Sequence, residues 1–312
     1  MTTLFLPWLL VLLLLVAVGF AVRRCWKTAG VLVLMGLLLN WWGHVVPMNC
    51  LATQSSDAVQ NRIKVLAWNI EAAEYDSVKI ENLCKIILEQ DADLVYLAED
   101  FYACCDKIDA RLKPLYPYTS HDHCNDSHYF YSKYPLKQWR WIAKDVDSRS
   151  VIIKSCVEMD GVDIDLYGCH LSSNNYGSGD SQLRANQISG VRSMFSYVTG
   201  ISKAQQLREA EIQVICDSLK SSSNPCLCIG DMNDVAGSSP LGMLQDIGFQ
   251  DAWWNGGCGY GATIHKPLPY RIDHILYRSG SRSLKLLDIA RIDSKGLSDH
   301  DAMVATFEIN KN

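Results

Sequence analysis

An α/β domain carried behind an apolar helical hairpin is the fold class this sequence predicts. Three observations point to it. Two long apolar runs occupy the first 50 residues. From Arg62 onward, short β-branched runs alternate with segments of helical period. Two of those runs are joined by Asp160-Gly161, a hairpin turn pair, so antiparallel pairs are mixed with strand–helix units.

The elements follow in order. Leu4 to Val22 is an apolar run of 19 residues, and Ala29 to Val46 is a second one with Asn40 and His44 near its end. A membrane-spanning helix needs about 20 such residues. A cleaved signal peptide is the alternative for the first run, but no basic residue precedes it and no small-residue cleavage site follows it. Residues 1–50 are therefore expected to form a transmembrane hairpin, meeting lipid through residues 4–22 and 29–46, with Trp41 and Trp42 at the interface. Arg23, Arg24 and Lys27 sit in the short connection. Positive short loops stay cytoplasmic, so both outer ends and the soluble domain are expected to be extracytoplasmic, either periplasmic or extracellular. Residues 51–61 read as a polar linker, and 62–312 as the folded part of the chain, long enough for one large domain or two small ones.

Within that domain, Val65–Ile70 and Leu94–Ala98 are expected as buried strands, with a helix from Ser77 to Gln90 between them, capped by Asp76 or Ser77. Val151–Val157 and Val162–His170 are paired strands. Lys203–Leu219 is a helix, and Cys226–Gly230, Ile272–Tyr277 and Ala302–Ile309 complete the strands. The stretch Ser172 to Ile201 is rich in Ser, Gly and Asn and is long for a plain connection.

The formal charge is −5, and the only charged residues among 1–50 are three basic ones, so the remainder carries −8. That is a poor match to non-specific duplex DNA binding, which draws its affinity from Lys and Arg on phosphates. It leaves phosphate substrates open, because a divalent cation supplies positive charge locally. Of the 12 cysteines, Cys104, Cys105 and Cys124 in a loop-like stretch are the best disulfide candidates. Cys169, Cys226 and Cys228 read as small buried residues. No zinc-type cysteine spacing occurs, and His121, His123 and His128 read as a solvated loop rather than a metal cluster.

The chemistry lies where polar residues end apolar strands. Asn69 and Glu71 end the first, and Glu99 and Asp100 the second. His170 follows Leu-Tyr-Gly-Cys, Asp231 and Asn233 follow Cys-Ile-Gly, Asp273 and His274 stand inside Arg-Ile-Asp-His-Ile, and Asp299 and His300 open the last strand. Strand ends gather on one rim of an α/β sheet. Hard oxygen donors suit Mg²⁺, with Mn²⁺ as a substitute. Asn69 alone reads as a cap. Asp273 alone reads as a strand-edge carboxylate, and His274 points away from it by strand alternation. Trp253, Trp254 and Tyr260 read equally well as cleft rim and as core.

In order along the chain, Val65-Leu-Ala-Trp-Asn-Ile70, Asp93-Leu-Val-Tyr-Leu-Ala-Glu99, Gly168-Cys-His-Leu171, Ile229-Gly-Asp-Met-Asn233, Arg271-Ile-Asp-His-Ile-Leu276 and Leu297-Ser-Asp-His-Asp301 resemble the endonuclease/exonuclease/phosphatase family, whose members include DNase I-like nucleases, neutral sphingomyelinases and inositol polyphosphate phosphatases. The resemblance covers about residues 62–309. It implies a four-layered α/β sandwich and metal-assisted in-line attack of water on a phosphodiester or phosphomonoester. Asn69, Glu99 and Asp299 match the metal side. His170 matches a phosphate-contacting histidine that protonates the leaving group, Asp231 and Asn233 match the pair that handles water and phosphate, and Asp273 matches the carboxylate orienting the catalytic His300. Which of Asp231 and His300 is the base stays open. One departure is Ala98, where the family usually has Gln before the Glu. Substrates in reach are lipid headgroups, nucleic acid and small phosphoesters, and no protein partner follows. The competing class is an inactive binding protein of the same fold.

Overall fold

A computed structural model describes residues 2–50, 61–71, 76–100, 102–121, 127–145, 150–174, 191–265 and 268–310. The expected linker, Cys124, His123 and the middle of the Ser172–Ile201 stretch lie outside the described residues. Helices α1 (Leu6–Val22) and α2 (Trp26–Gly43) form an antiparallel hairpin. Among the described residues, only Thr3–Val22 is long and apolar enough to cross a membrane by itself. The second helix carries Lys27 and Asn40, and it ends at Gly43 rather than Val46. Asn40 is satisfied locally, its Nδ2 donating to Val46 O at 2.9 Å and its Oδ1 accepting from Val46 N at 2.8 Å.

The chain continues with β1 (Arg62–Asn69), α3 (Ser77–Glu89), β2 (Leu94–Ala98), α4 (Tyr102–Leu112), β3 (Tyr118–Thr119), β4 (His128–Ser132), β5 (Leu136–Asp145), β6 (Ser150–Met159) and β7 (Val162–His170). Then follow α5 (Val191–Leu219), β8 (Cys226–Asp231), α6 (Ser239–Asp246), β9 (Gln250–Asp251), α7 (Ala252–Gly256), β10 (Asp273–Arg278), β11 (Ser283–Ile292) and β12 (Ala302–Asn310). One six-stranded sheet has the order β11-β12-β1-β2-β4-β3, and the other β5-β6-β7-β8-β10-β9.

Strand alternation assigns the layers. In β1, Ile63, Val65 and Ala67 enter a core shared with Ile153, Leu166, Leu227 and Ile229 of the opposing sheet. The intervening Leu66 and Trp68 face Ile80, Leu83, Ile87 and Ile108 on α3 and α4. The second sheet's outer residues, Tyr167, Cys169 and Cys228, meet Ile212 and Ile215 of α5 and Leu244 of α6. The result is helix–sheet–sheet–helix, four layers. Strands buried on both faces read as continuous apolar runs, which is why β1 and β2 stand out in the sequence.

Several expectations are met by local chemistry. Asp76 caps α3, its side chain accepting from Val78 N at 2.9 Å. Asp160 and Gly161 have φ of +52° and +77°, the pair of positive values that a two-residue β-hairpin requires. Others are corrected. Cys104 lies on α4, one helical turn before Ile108 and two before Leu112, so this stretch is a helix and not a loop. Cys104 is a free thiol, Cys105 is disulfide-bonded, and the disulfide fully described joins Cys50 to Cys258. His121 and His128 are buried, not solvated, because each packs against other rings: His121 against Tyr129, and His128 against His170. Trp253 is core, with its Nε1 donating to Gly259 O at 3.1 Å.

Candidate active site

Register brings the site together. In the second sheet His170 pairs with Asp231 across parallel strands, and Asp231 pairs with Asp273 across antiparallel ones. Three candidate side chains thus stand in one row on three adjacent strands. Directly before Asp231, Gly230 has φ +125°, and an added Cβ would lie 2.2 Å from Cys169 O and 2.7 Å from the Tyr96 ring. Only glycine fits between those strands there.

The first sheet supplies the facing residues. Asn69 ends β1, and Glu99 follows β2 with φ +59°. Asp299 and His300 stand in the turn before β12 rather than opening the strand. That turn is pinned at three points: Trp68 Nε1 donates to His300 O at 2.9 Å, His300 N donates to Ser298 Oγ at 3.0 Å, and Ser298 Oγ donates to Asn69 O at 2.8 Å.

At the centre is Asp231. One carboxylate oxygen accepts from Asn69 Nδ2 at 3.1 Å and lies 3.8 Å from both His170 Nε2 and His300 Nε2. The other accepts from Asn233 N at 2.8 Å. Burial, and then the charge of Asp273, raise the proton affinity of Asp231 above the usual carboxylate range. His300 donates from Nδ1 to Asp273 Oδ2 at 2.8 Å. Burial opposes charging this imidazole, but Asp273 and Asp231 outweigh it and raise its pKa to about 10. At neutral pH His300 is therefore an imidazolium, with its other nitrogen turned to Asp231. Burial likewise opposes the Glu99 carboxylate, yet His170 at 3.1 Å and Asn69 at 3.3 Å hold its pKa down at about 2. Asn233, at φ +50°, is anchored by its Nδ2 to Leu171 O at 2.8 Å. Left-handed φ at Glu99, Asn233 and also Glu71 (+39°) concentrates backbone strain at this rim, as functional sites do.

A hard cation fits one side of the cluster. Asn69, Glu99 and Asp299 are joined there by Glu71, whose carboxyl is raised first by burial and then by Asp299, to which it is hydrogen-bonded, and by Glu99. Like charges forced together want a divalent cation between them. Asp231, Asp273 and His300 also present ligand-type atoms within 4.8 Å of one another. Asp273 is already committed to His300 Nδ1, however, so that trio reads as a base beside an oriented imidazolium.

Three participants carried no clear local signal. Glu71 was visible only as a strand-end acid. His128 stacks on His170 at 5.2 Å between ring centroids and is kept neutral by burial and by His170. Arg208 of α5 ties the loop after β7 to the loop after β8, donating to Ser172 O at 2.8 Å and to Asp234 Oδ2 at 2.9 Å. His274 turns the other way, with Nε2 3.0 Å from Asp234 O and Nδ1 2.8 Å from Arg271.

A model of the endonuclease/exonuclease/phosphatase family matches residues 66–300. The chain belongs to that family. Solved structures agree in fold. TDP2 of D. rerio complexed with single-strand DNA product gives a TM-score of 0.60 at 17% identity over 79% of this chain and 99% of that one. A family member from Bacteroides vulgatus gives 0.59 at 15% identity over 80% and 100%. Sphingomyelinase C from Streptomyces griseocarneus gives 0.53 at 16% identity over 78% and 99%. Among curated protein sequences none matches the chain.

Proposed function

We propose that this family member is a membrane-anchored, Mg²⁺-dependent phosphoester hydrolase. The observation that carries the reading is Asp231. It is a buried carboxylate of raised proton affinity, 3.8 Å from the Nε2 atoms of two histidines and bridged through Asn69 to Glu99. A group that binds protons readily yet is held beside an imidazolium is suited to take a proton from water. Asp231 is thus the base. His300, charged and oriented by Asp273, donates from Nε2 to a phosphate oxygen and stabilises charge that builds up during attack. His170 faces the leaving oxygen and supplies its proton, and Asn233 orients the phosphate. Asn69, Glu71, Glu99 and Asp299 would hold the cation, which when bound neutralises phosphate oxygens.

Anchoring rests on the exposed apolar faces of the hairpin, including Leu12, Leu15, Val18, Leu34 and Leu38. Trp41 and Trp42, 70% and 62% exposed at the end of α2, suit a membrane interface. The Cys50–Cys258 disulfide suits an oxidising compartment and so the extracytoplasmic side.

The test is hydrolysis of bis-p-nitrophenyl phosphate by the full chain after chelation and after Mg²⁺ add-back. Turnover should depend on Mg²⁺. Glu99→Gln, which keeps size but removes a ligand charge, should need more Mg²⁺ and recover part of its activity when given it. No turnover under any metal would favour an inactive binding protein instead.

A further inference from the structure

The base of the hairpin is built into the catalytic rim. Leu4, just before α1, is buried with Val235, Ile201, Tyr270 and Ile272. Val235 stands two residues after Asn233, and Ile272 stands one before Asp273. Trp8 Nε1 donates to the Tyr270 hydroxyl at 3.1 Å. At the end of α2 the backbones meet directly, since a Cβ on Gly237 would lie 2.9 Å from Gly43 O. Beyond it, Gly259 N donates to Pro47 O at 3.0 Å, Asn49 Nδ2 donates to Trp254 O at 2.9 Å, and Cys50 is bonded to Cys258. The loop that follows Asp231 and carries Asn233, and the loop that leads into Asp273, therefore form the socket of the hairpin.

Reach follows from this seating. One or two residues, at 3.8 Å per Cα step, separate the socket from the reacting groups, so the phosphate site lies on the order of 10 Å from where the hairpin leaves the domain. The headgroup layer of a bilayer is about 5–8 Å deep on each side. The 17 residues of α1 rise about 26 Å, close to the hydrocarbon thickness. Between α1 and the rim lies an apolar cleft of about 360 Å³, lined by Trp8, Val11, Leu14, Val46, Tyr260 and Pro269. It offers hydrocarbon a wall at the level where the hairpin meets the domain.

We propose, resting on the hydrolase reading above, that the hairpin holds the catalytic rim against the bilayer and that the substrate is a phospholipid headgroup in the same membrane. Water is added across a phosphorus–oxygen ester bond, its hydroxyl going to phosphorus and its proton to the leaving oxygen. The lipid tail stays in the bilayer beside the cleft.

The experiment uses the full chain reconstituted in vesicles of equal parts phosphatidylcholine, phosphatidylglycerol and sphingomyelin, with Mg²⁺. Headgroup release is followed by phosphorus NMR, and bis-p-nitrophenyl phosphate serves as a soluble control. Lipid in the enzyme's own vesicles should be cleaved on the order of a hundredfold faster than lipid in separate, protein-free vesicles, the scale that tethering produces. The soluble ester should be turned over equally in both arrangements. Turnover of the soluble ester with lipid untouched, or with equal rates in the two vesicle populations, overturns the inference and leaves the hydrolase reading standing. No turnover of either overturns both.

Orientation is read separately in a Cys25→Ser background, with a fluorophore on Leu268→Cys near the socket or on Asp160→Cys at the far end of β7. Headgroup-spin-labelled lipid should quench the first label and spare the second. Equal or reversed quenching overturns the inference.

Discussion

Among the described residues, two buried clusters bring three ligand-type atoms together, and they differ in one instructive way. At the rim, Asp231, Asp273 and His300 gather from separate strands and turns. Behind β2, Cys105, Asp109 and His121 come equally close together. Yet the sulfur, the carboxylate and the facing imidazole nitrogen of the second set are spent internally. Cys105 is in a disulfide and so presents no thiolate. His121 donates to both oxygens of Asp109 at 3.2 and 3.1 Å, and Lys113 meets the same carboxylate at 2.5 Å. The neighbouring Asp100 is raised well above the carboxylate range by burial and by Asp109, which keeps it neutral. The rim set instead keeps a charged imidazole nitrogen and a proton-hungry carboxylate facing each other. Proximity of ligand-type atoms does not make a reactive site; uncommitted lone pairs and protons do.

Substitution should break the comparison open. His300→Ala should remove nearly all turnover of a soluble phosphodiester. His121→Ala should leave turnover near the parent's and cost about 1–3 kcal/mol of stability, because Asp109 loses a buried partner. Rates together with urea unfolding check both, and a His121 variant with rates as low as those of His300→Ala would erase the distinction. Next in size, Asp273→Asn should lower the rate by roughly a hundredfold or more, since it removes the orienting carboxylate and allows the wrong tautomer. Its loss should not multiply with that of His300→Ala, because both act through one imidazole. A double variant showing the product of the two losses would mean the residues work independently.

The last test concerns pH and stability rather than rate. His300 has a folded pKa of about 10, above its ordinary 6.5. A group raised on folding stabilises below its unfolded pKa, and that stability is lost as pH rises through the folded value. Melting temperatures of the chelated protein should therefore decline between pH 6.5 and about 10, and His300→Gln should flatten that decline. Parallel profiles for parent and variant would show that the imidazolium contributes nothing to the fold.

Much of the architecture is legible in the sequence, for physical reasons. Strands covered on both faces, such as Leu94–Ala98, read as unbroken apolar runs, and Asp160-Gly161 marks its turn by the positive φ it needs. Helix α4 is not legible, because adjacent cysteines and Asp106 hide the Cys104, Ile108, Leu112 stripe. Strand β4 opens on a histidine and carries three aromatic-ring residues in a row, a pattern without clear alternation. For the site, the strand-end positions are visible one by one, but which of them touch is a matter of register. Glu71 and His128 gain their meaning from Asp299 and His170, residues far away in sequence, so no local motif marks them.

The Cys50–Cys258 bond spans a sequence separation of 208 residues and encloses the domain from β1 through α7, leaving β10, β11 and β12 outside the loop. Closing a loop of that length removes conformational freedom from the unfolded chain worth about 5 kcal/mol on the chain-entropy model, comparable with the entire net stability of many domains. Durability is thereby tied to the redox state of the surroundings. With Cys50 and Cys258 reduced, the same side chains would stand at the rim on a scaffold weaker by about that amount, so reduction would act on the protein through its stability rather than through any change at its rim.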